Sequence, residues 1–169
     1  KTQAMQPITA EEEPYLSNSG LRRFKDAGAL AYQWHRWLLP GKFLEGGVDS
    51  LSVSFRWRDQ GWGNKKGQLA VELRRPEEPG IGNIHDAIKT DDTAKTVATL
   101  TFGIAPHETA SVDNEVHDEH PIVTEAQPGD YYRVSRICGG GGGHELHVYD
   151  FLLIVKADGT LVKPAAVLR

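Results

Sequence analysis

The stretch Asp59-Gln60-Gly61-Trp62-Gly63-Asn64-Lys65-Lys66 gathers a carboxylate, two planar amides, an indole and two ammonium groups into eight positions. A flat aromatic ring stacks on the apolar face of a pyranose. Amides and carboxylates beside it bind the sugar's hydroxyls. Asp59, Gln60, Trp62, Asn64 and Lys65 are therefore read as ligand-binding residues, and the ligand they suit is a carbohydrate. The same residues also serve a bare turn. Asp59 and Asn64 would then bond their own backbone, and Trp62 would fold back as a lid on the core. Exposure of the Trp62 ring separates the two readings.

A second stretch, Gly139 to Gly143 followed by His144, lets the backbone approach a neighbour closely or adopt positive φ repeatedly. It is no phosphate loop, since no Lys-Ser or Lys-Thr follows it. It is no dinucleotide fingerprint either, because the next segment reads as a strand. Either it is a wide turn beside the Trp62 loop, or its amides and His144 line a ligand groove. The two loops are predicted to lie at one end of the molecule and to touch. A large ring packs closely on bare backbone.

Other polar groups suggest less. Asp113 to His120 is rich in metal-ligand types, with His117 and His120 three apart, yet a solvated acidic loop has the same composition. No metal or cofactor is assigned. His85 and Asp86 lie in a long loop, and Cys138 ends a strand. No G-x-S-x-G or H-E-x-x-H occurs. A lone Cys at a strand end reads as packing rather than as a nucleophile. The chain is read as a non-enzyme.

The elements that must hold these loops follow from the alternation. Leu51, Val53, Phe55 and Trp57 face one way, and Ser52, Ser54, Arg56 and Arg58 the other. Side chains switch faces at each strand residue, so this is a half-buried strand. Leu69, Val71 and Leu73 repeat the pattern beyond the loop, and the pair is expected to form a β-hairpin. Further strands are predicted at Thr96–Ala105, Tyr131–Cys138 and His144–Lys156, with a short one at Ile122-Val123-Thr124. In the last of these long strands, His144–Lys156, the pattern slips between Val148 and Phe151, which predicts a bulge. Asp158-Gly159 signals a turn before a short strand at Thr160–Val162. His107–Gln127 otherwise reads as loop. A helix is predicted from Leu21 to about Tyr32, capped by Asn18 or Ser19, with an extended piece after it.

Five or more strands with turn signals between them give an all-β fold, an antiparallel jelly-roll-like sandwich with a short N-terminal helical segment. Residues 1–19 read as a polar arm, 20–162 as one sandwich domain and 163–169 as a tail. The chain has 169 residues, a net charge of −4 and no basic run, which argues against nucleic acid as the partner. No apolar run reaches the ~20 residues that span a bilayer. The single Cys excludes an internal disulfide. The chain begins with Lys1, which fits a processed, secreted or organellar protein, and the single Cys equally fits the cytoplasm.

With the loop WRDQGWGN and the segment GDYY…GGGGGH in place, the chain resembles the galactose-binding-like, discoidin type of jelly roll from about Trp34 to Lys156. The resemblance implies ligands at loops on one end of a sandwich, and its members include sugar-binding, lipid-binding and structural domains. The expected function is a non-catalytic, lectin-like module binding carbohydrate through Asp59–Lys66 and Gly139–His144. The alternative is an accessory subunit of a larger assembly, organellar ones included, joined to partner subunits or a protein surface through the two terminal arms.

Overall fold

The strand that carries Trp57 and Asp59 into the first loop lies at the centre of one sheet. The computed structural model describes residues 15–28, 31–37, 39, 41–81, 91–140, 142–157 and 160–161. The strands are β1 (Leu16–Ser17), β2 (Leu21–Lys25), β3 (His35–Trp37), β4 (Ser50–Asp59), β5 (Gln68–Arg75), β6 (Lys95–Thr101), β7 (Ala110–Val116), β8 (Tyr131–Ile137), β9 (Glu145–Ala157) and β10 (Thr160–Leu161). A helical turn, α1, spans Pro121–Thr124. Every pairing is antiparallel. One sheet runs β2-β9-β4-β7, with β1 and β10 also paired to β9; the other runs β3-β8-β5-β6. These two orders, facing each other, are a jelly roll.

Leu51, Val53, Phe55 and Trp57 from one sheet and Leu69, Val71 and Leu73 from the other are all buried in a single core with Val134, Leu146, Val148, Phe151, Leu153 and Val155. Each such side chain contributes about 1.5–3 kcal/mol on burial. Phe55 and Phe151 stack at 5.7 Å across β4 and β9.

The expected hairpin is not formed. β4 and β5 belong to different sheets, and the connection between them crosses the sandwich. A hairpin within one sheet is usually closed by two residues, whereas Gln60–Gly67 is long enough to bridge sheets ~10 Å apart. The alternation looked the same on both strands because both bury a face in the same core.

The N-terminal helical segment is also corrected. Leu21–Lys25 is a strand, pairing Leu21 with Tyr149 through Lys25 with Glu145. The backbone groups of β9 were available on that side, and pairing with them outweighed the helical spacing of Leu21 and Phe24. The extended piece after Tyr32 is present as β3. The predicted strand at Ile122-Val123-Thr124 is instead α1: Pro121 starts it and His120 Nδ1 accepts from the Ile122 N–H at 3.0 Å. β7 lies inside what read as loop. It is a polar edge strand whose Val112 and Val116 alone pack against the core.

The bulge is found where the pattern slipped. Ser54 pairs with Leu152 and Arg56 with Tyr149, so Phe55 faces two residues. One of them, Asp150, has φ +52. Its carboxylate accepts from Gly20 N at 3.0 Å and from Arg56 Nη2 at 3.0 Å. The sheet starts earlier than residue 20: Tyr15 is fully buried and Leu16 and Ser17 pair with Leu153 and Leu152. The last strand pairs Thr160 with Ala157 and Leu161 with Lys156. Residues 1–14, His85, Asp86, Gly141, the Asp158-Gly159 turn and the tail lie outside the described residues. Among the described residues no helix is long and apolar enough to cross a membrane.

Candidate ligand-binding end of the sandwich

Four connections cross from sheet to sheet at the same end: those between β2 and β3, β4 and β5, β6 and β7, and β8 and β9. The registers require it. Asp59 at the end of β4 pairs with Leu146 at the start of β9, and Gln68 at the start of β5 pairs with Ile137 at the end of β8. Lys25 meets Glu145, and Trp57 meets Ala110. The expected meeting of the Trp62 and glycine loops follows from that topology.

The four loops are tied to one another. Asp59 N donates to Pro106 O at 2.7 Å, and Ala105 N to Gly67 O at 2.7 Å. Asp59 Oδ1 accepts from Gly61 N at 2.8 Å, and His107 Nδ1 lies 2.8 Å from the same oxygen. Asp59 is 0% exposed. It holds two loops together. Gln60 is a staple of the same kind. Its Nε2 donates to Trp62 O at 2.5 Å and Asn64 O at 3.0 Å, and its Oε1 accepts from Glu145 N at 3.1 Å. Its amide is thus spent on the turn and on β9.

Trp62 is 54% exposed. Its ring lies beside Gly143 and 6.2 Å from the His144 ring, tilted by 34°. It is not a lid on the core. Asn64 and Lys65 are exposed next to it, and His144 is half-buried. On the other side of the glycine loop, Tyr32 N donates to Gly139 O at 3.0 Å, and Lys66 Nζ sits 4.9 Å above the Tyr32 ring centre. A Cβ on Gly140 would overlap the Tyr32 hydroxyl. At Gly140 and Gly143 the run of glycines is thus answered by two aromatic rings from other loops.

The residues that sequence reasoning missed are Tyr32, Trp34, Ile104 and His107. Tyr32 is 64% exposed, Trp34 44% and Ile104 54%. With Trp62 they make four of the six exposed large hydrophobic side chains among the described residues, so the apolar surface concentrates at this end. The aromatic-rich AYQWHRW was visible in the sequence, but it was read as the end of a helix and an extended piece after it.

The remaining candidates go elsewhere. His117 Nε2 lies 3.5 Å from Glu115 and His120 caps α1, so the two histidines have separate tasks. No three His, Cys, Asp or Glu side chains converge on a metal-sized space among the described residues. Cys138 is buried; burial first, then Asp26 nearby, pushes its thiol up to about 12. It is protonated at neutral pH, which is the opposite of an activated nucleophile.

No protein-family model matches this chain, and no curated protein matches it. The solved structures that are similar include two of low identity. The carbohydrate recognition domain of Emp46p, in metal-free form, is 12% identical, with 77% of this chain and 91% of that one covered and a TM-score of 0.36. The structure of infectious bursal disease virus, Gt strain, is 14% identical, with 85% of this chain and 34% of that one covered and a TM-score of 0.33. Likeness at this level carries no weight for the ligand. The loop end itself must supply that.

Proposed function

We propose that this protein is a non-catalytic binding module that takes carbohydrate at the loop end of the sandwich. One observation carries the reading: the Trp62 ring is more than half exposed while its loop is held from three sides. A ring fixed in this way loses little freedom on stacking against a sugar, and binding sites gain from such preorganisation. Asn64, Lys65 and His144 surround it and supply hydroxyl-binding groups. Asp59 and Gln60 act through the loop as positioning residues. The galactose-binding-like character of the sequence belongs to the same proposal. The accessory-subunit alternative rested on the terminal arms, and Tyr15–Ser17 is seated on this chain's own β9.

A glycan array followed by titration with the sugars retained tests the proposal. By analogy with base–aromatic stacking, Trp62→Ala is expected to lose about 1–3 kcal/mol of binding. Its stability should stay within about 0.5 kcal/mol, since the ring is exposed. Unchanged sugar affinity in Trp62→Ala would overturn the assignment of the site.

A further inference from the structure

A sandwich buries apolar side chains between its sheets. At the open edge between β2 and β3 this chain instead places two arginines on the inner faces, one from each sheet, with Arg22 exposed at the rim. Directly paired residues share a face. Arg22 pairs with buried Val148 and Phe24 with buried Leu146, so both look toward the interior. On β8, Arg136 alternates with Tyr132 and Val134, which are buried in the core, and Trp37 pairs with Val134. Arg22, Phe24, Trp37, Leu39 and Arg136 line a cleft of about 350 Å³. That is the low end of the size of small-molecule sites.

The wall of this cleft is cationic, and two unmatched donors lie just beneath its surface. Trp37 Nε1 and Arg136 Nε are both buried with no hydrogen-bond partner among the described residues. Such orphaned donors are rare in folded proteins. Arg136 Nη1 is held by Asp26 Oδ2 at 3.3 Å, and the guanidinium stacks 4.5 Å above the Phe24 ring. Arg22 has no carboxylate partner among the described residues. Arg36 also borders the cleft, but its guanidinium is committed to Asp91 at 3.0 Å and Asp92 at 3.5 Å. Phe24 and Trp37, edge to face at 5.3 Å, give the cleft an apolar wall.

We propose that this cleft binds an organic anion, an oxyanion head of carboxylate or phosphate on a flat apolar body. The head would accept from Arg22 and from the Arg136 guanidinium edge not held by Asp26, and the body would lie on Phe24, Trp37 and Leu39. Inward charges on edge strands also guard against edge-to-edge association. That accounts for Arg22 on the edge strand β2. It does not account for Arg136, because β8 is paired on both sides, with β3 and β5.

The test uses the whole chain and four probes: 1-naphthoate, 1-naphthyl phosphate, the neutral 1-naphthalenemethanol and inorganic phosphate. The readouts are calorimetry and the indole N–H resonance of Trp37, assigned with Trp37→Phe. One or both aromatic anions should bind with a Kd below about 1 mM, shift that resonance, and bind at least about 10-fold more tightly than the alcohol and inorganic phosphate. The tighter of the two anions identifies the head. Arg22→Gln should weaken the anion roughly 5-fold or more at unchanged melting temperature, and Arg22→Lys should recover part of the loss. Trp62→Ala should leave this binding untouched, which keeps it distinct from the loop end. The proposal is overturned if neither anion binds, if the alcohol binds as well as the anions, or if Arg22→Gln leaves their affinity unchanged.

Discussion

Trp62 and Gly143 meet across two loops that each cross between the sheets. A Cβ on Gly143 would stand 3.4 Å from Cζ2 and 3.6 Å from Cη2 of the ring. Gly143 also has φ +90, a conformation that other residues rarely adopt. Gly143→Ala should therefore cost about 1 kcal/mol or more in chemical unfolding through the backbone alone, since the added Cβ meets the ring at ordinary contact distance. The Trp62 indole N–H resonance, assigned with Trp62→Phe, should shift, because the added methyl touches the ring. A variant as stable as the parent with an unmoved Trp62 signal would contradict the contact.

Asp59 ties two loops together through Gly61 N and His107. Removing its carboxylate leaves both partly buried groups without that acceptor. Asp59→Ala should lose about 1–3 kcal/mol in urea unfolding. Asp59→Asn should lose less, because an amide oxygen still accepts from Gly61 N. Equal losses in the two variants would mean that the Gly61 bond contributes nothing.

Asp91, buried on the outer side of the β5–β8 sheet, receives Arg36, Arg74, Arg133 and the Tyr131 hydroxyl. Burial alone would raise its carboxyl; the Tyr131 hydrogen bond and the nearby Arg133 and Arg36 outweigh this and hold it below the usual 3.8. A depressed carboxyl contributes stability above its unfolded value, and that contribution is lost as the pH falls through the folded value. Asp91→Ala should cost about 3–5 kcal/mol near neutrality, since it strands buried arginines. Its stability should also fall less steeply than the parent's below pH ~4. Parallel acid limbs in parent and variant would remove Asp91 from the account.

Cys138 makes the opposite prediction at high pH. Its thiol is raised from 9.0 to about 12 in the fold, so the unfolded chain ionises first. Stability should fall as the pH rises from about 9 toward 12, and Cys138→Ala should flatten that decline relative to its own neutral value. In the native parent, a disulfide reagent at pH 8 should modify Cys138 no faster than the protein opens. Immediate modification would show the thiol to be accessible.

The strands at β4, β5, β6, β8 and β9, and even the bulge at Asp150, were legible in the amino-acid sequence. A period of two depends only on each strand having one face in the core, and that is a local property. Partnership is not local. Leu51–Trp57 and Leu69–Leu73 alternate alike whether they share a sheet or face each other, so the jelly-roll crossing at Gln60–Gly67 came only from the tertiary structure. Edge strands were hidden for a related reason. β2 and β7 bury too little to show a period, and the backbone of a neighbour decides them. At the candidate site the residue types of the Trp62 loop and the need for glycines at 139–143 were readable. Burial of the Asp59 carboxylate, exposure of the Trp62 indole and the arrival of Tyr32 and His107 were not. They depend on which four connections the two sheets bring to one end.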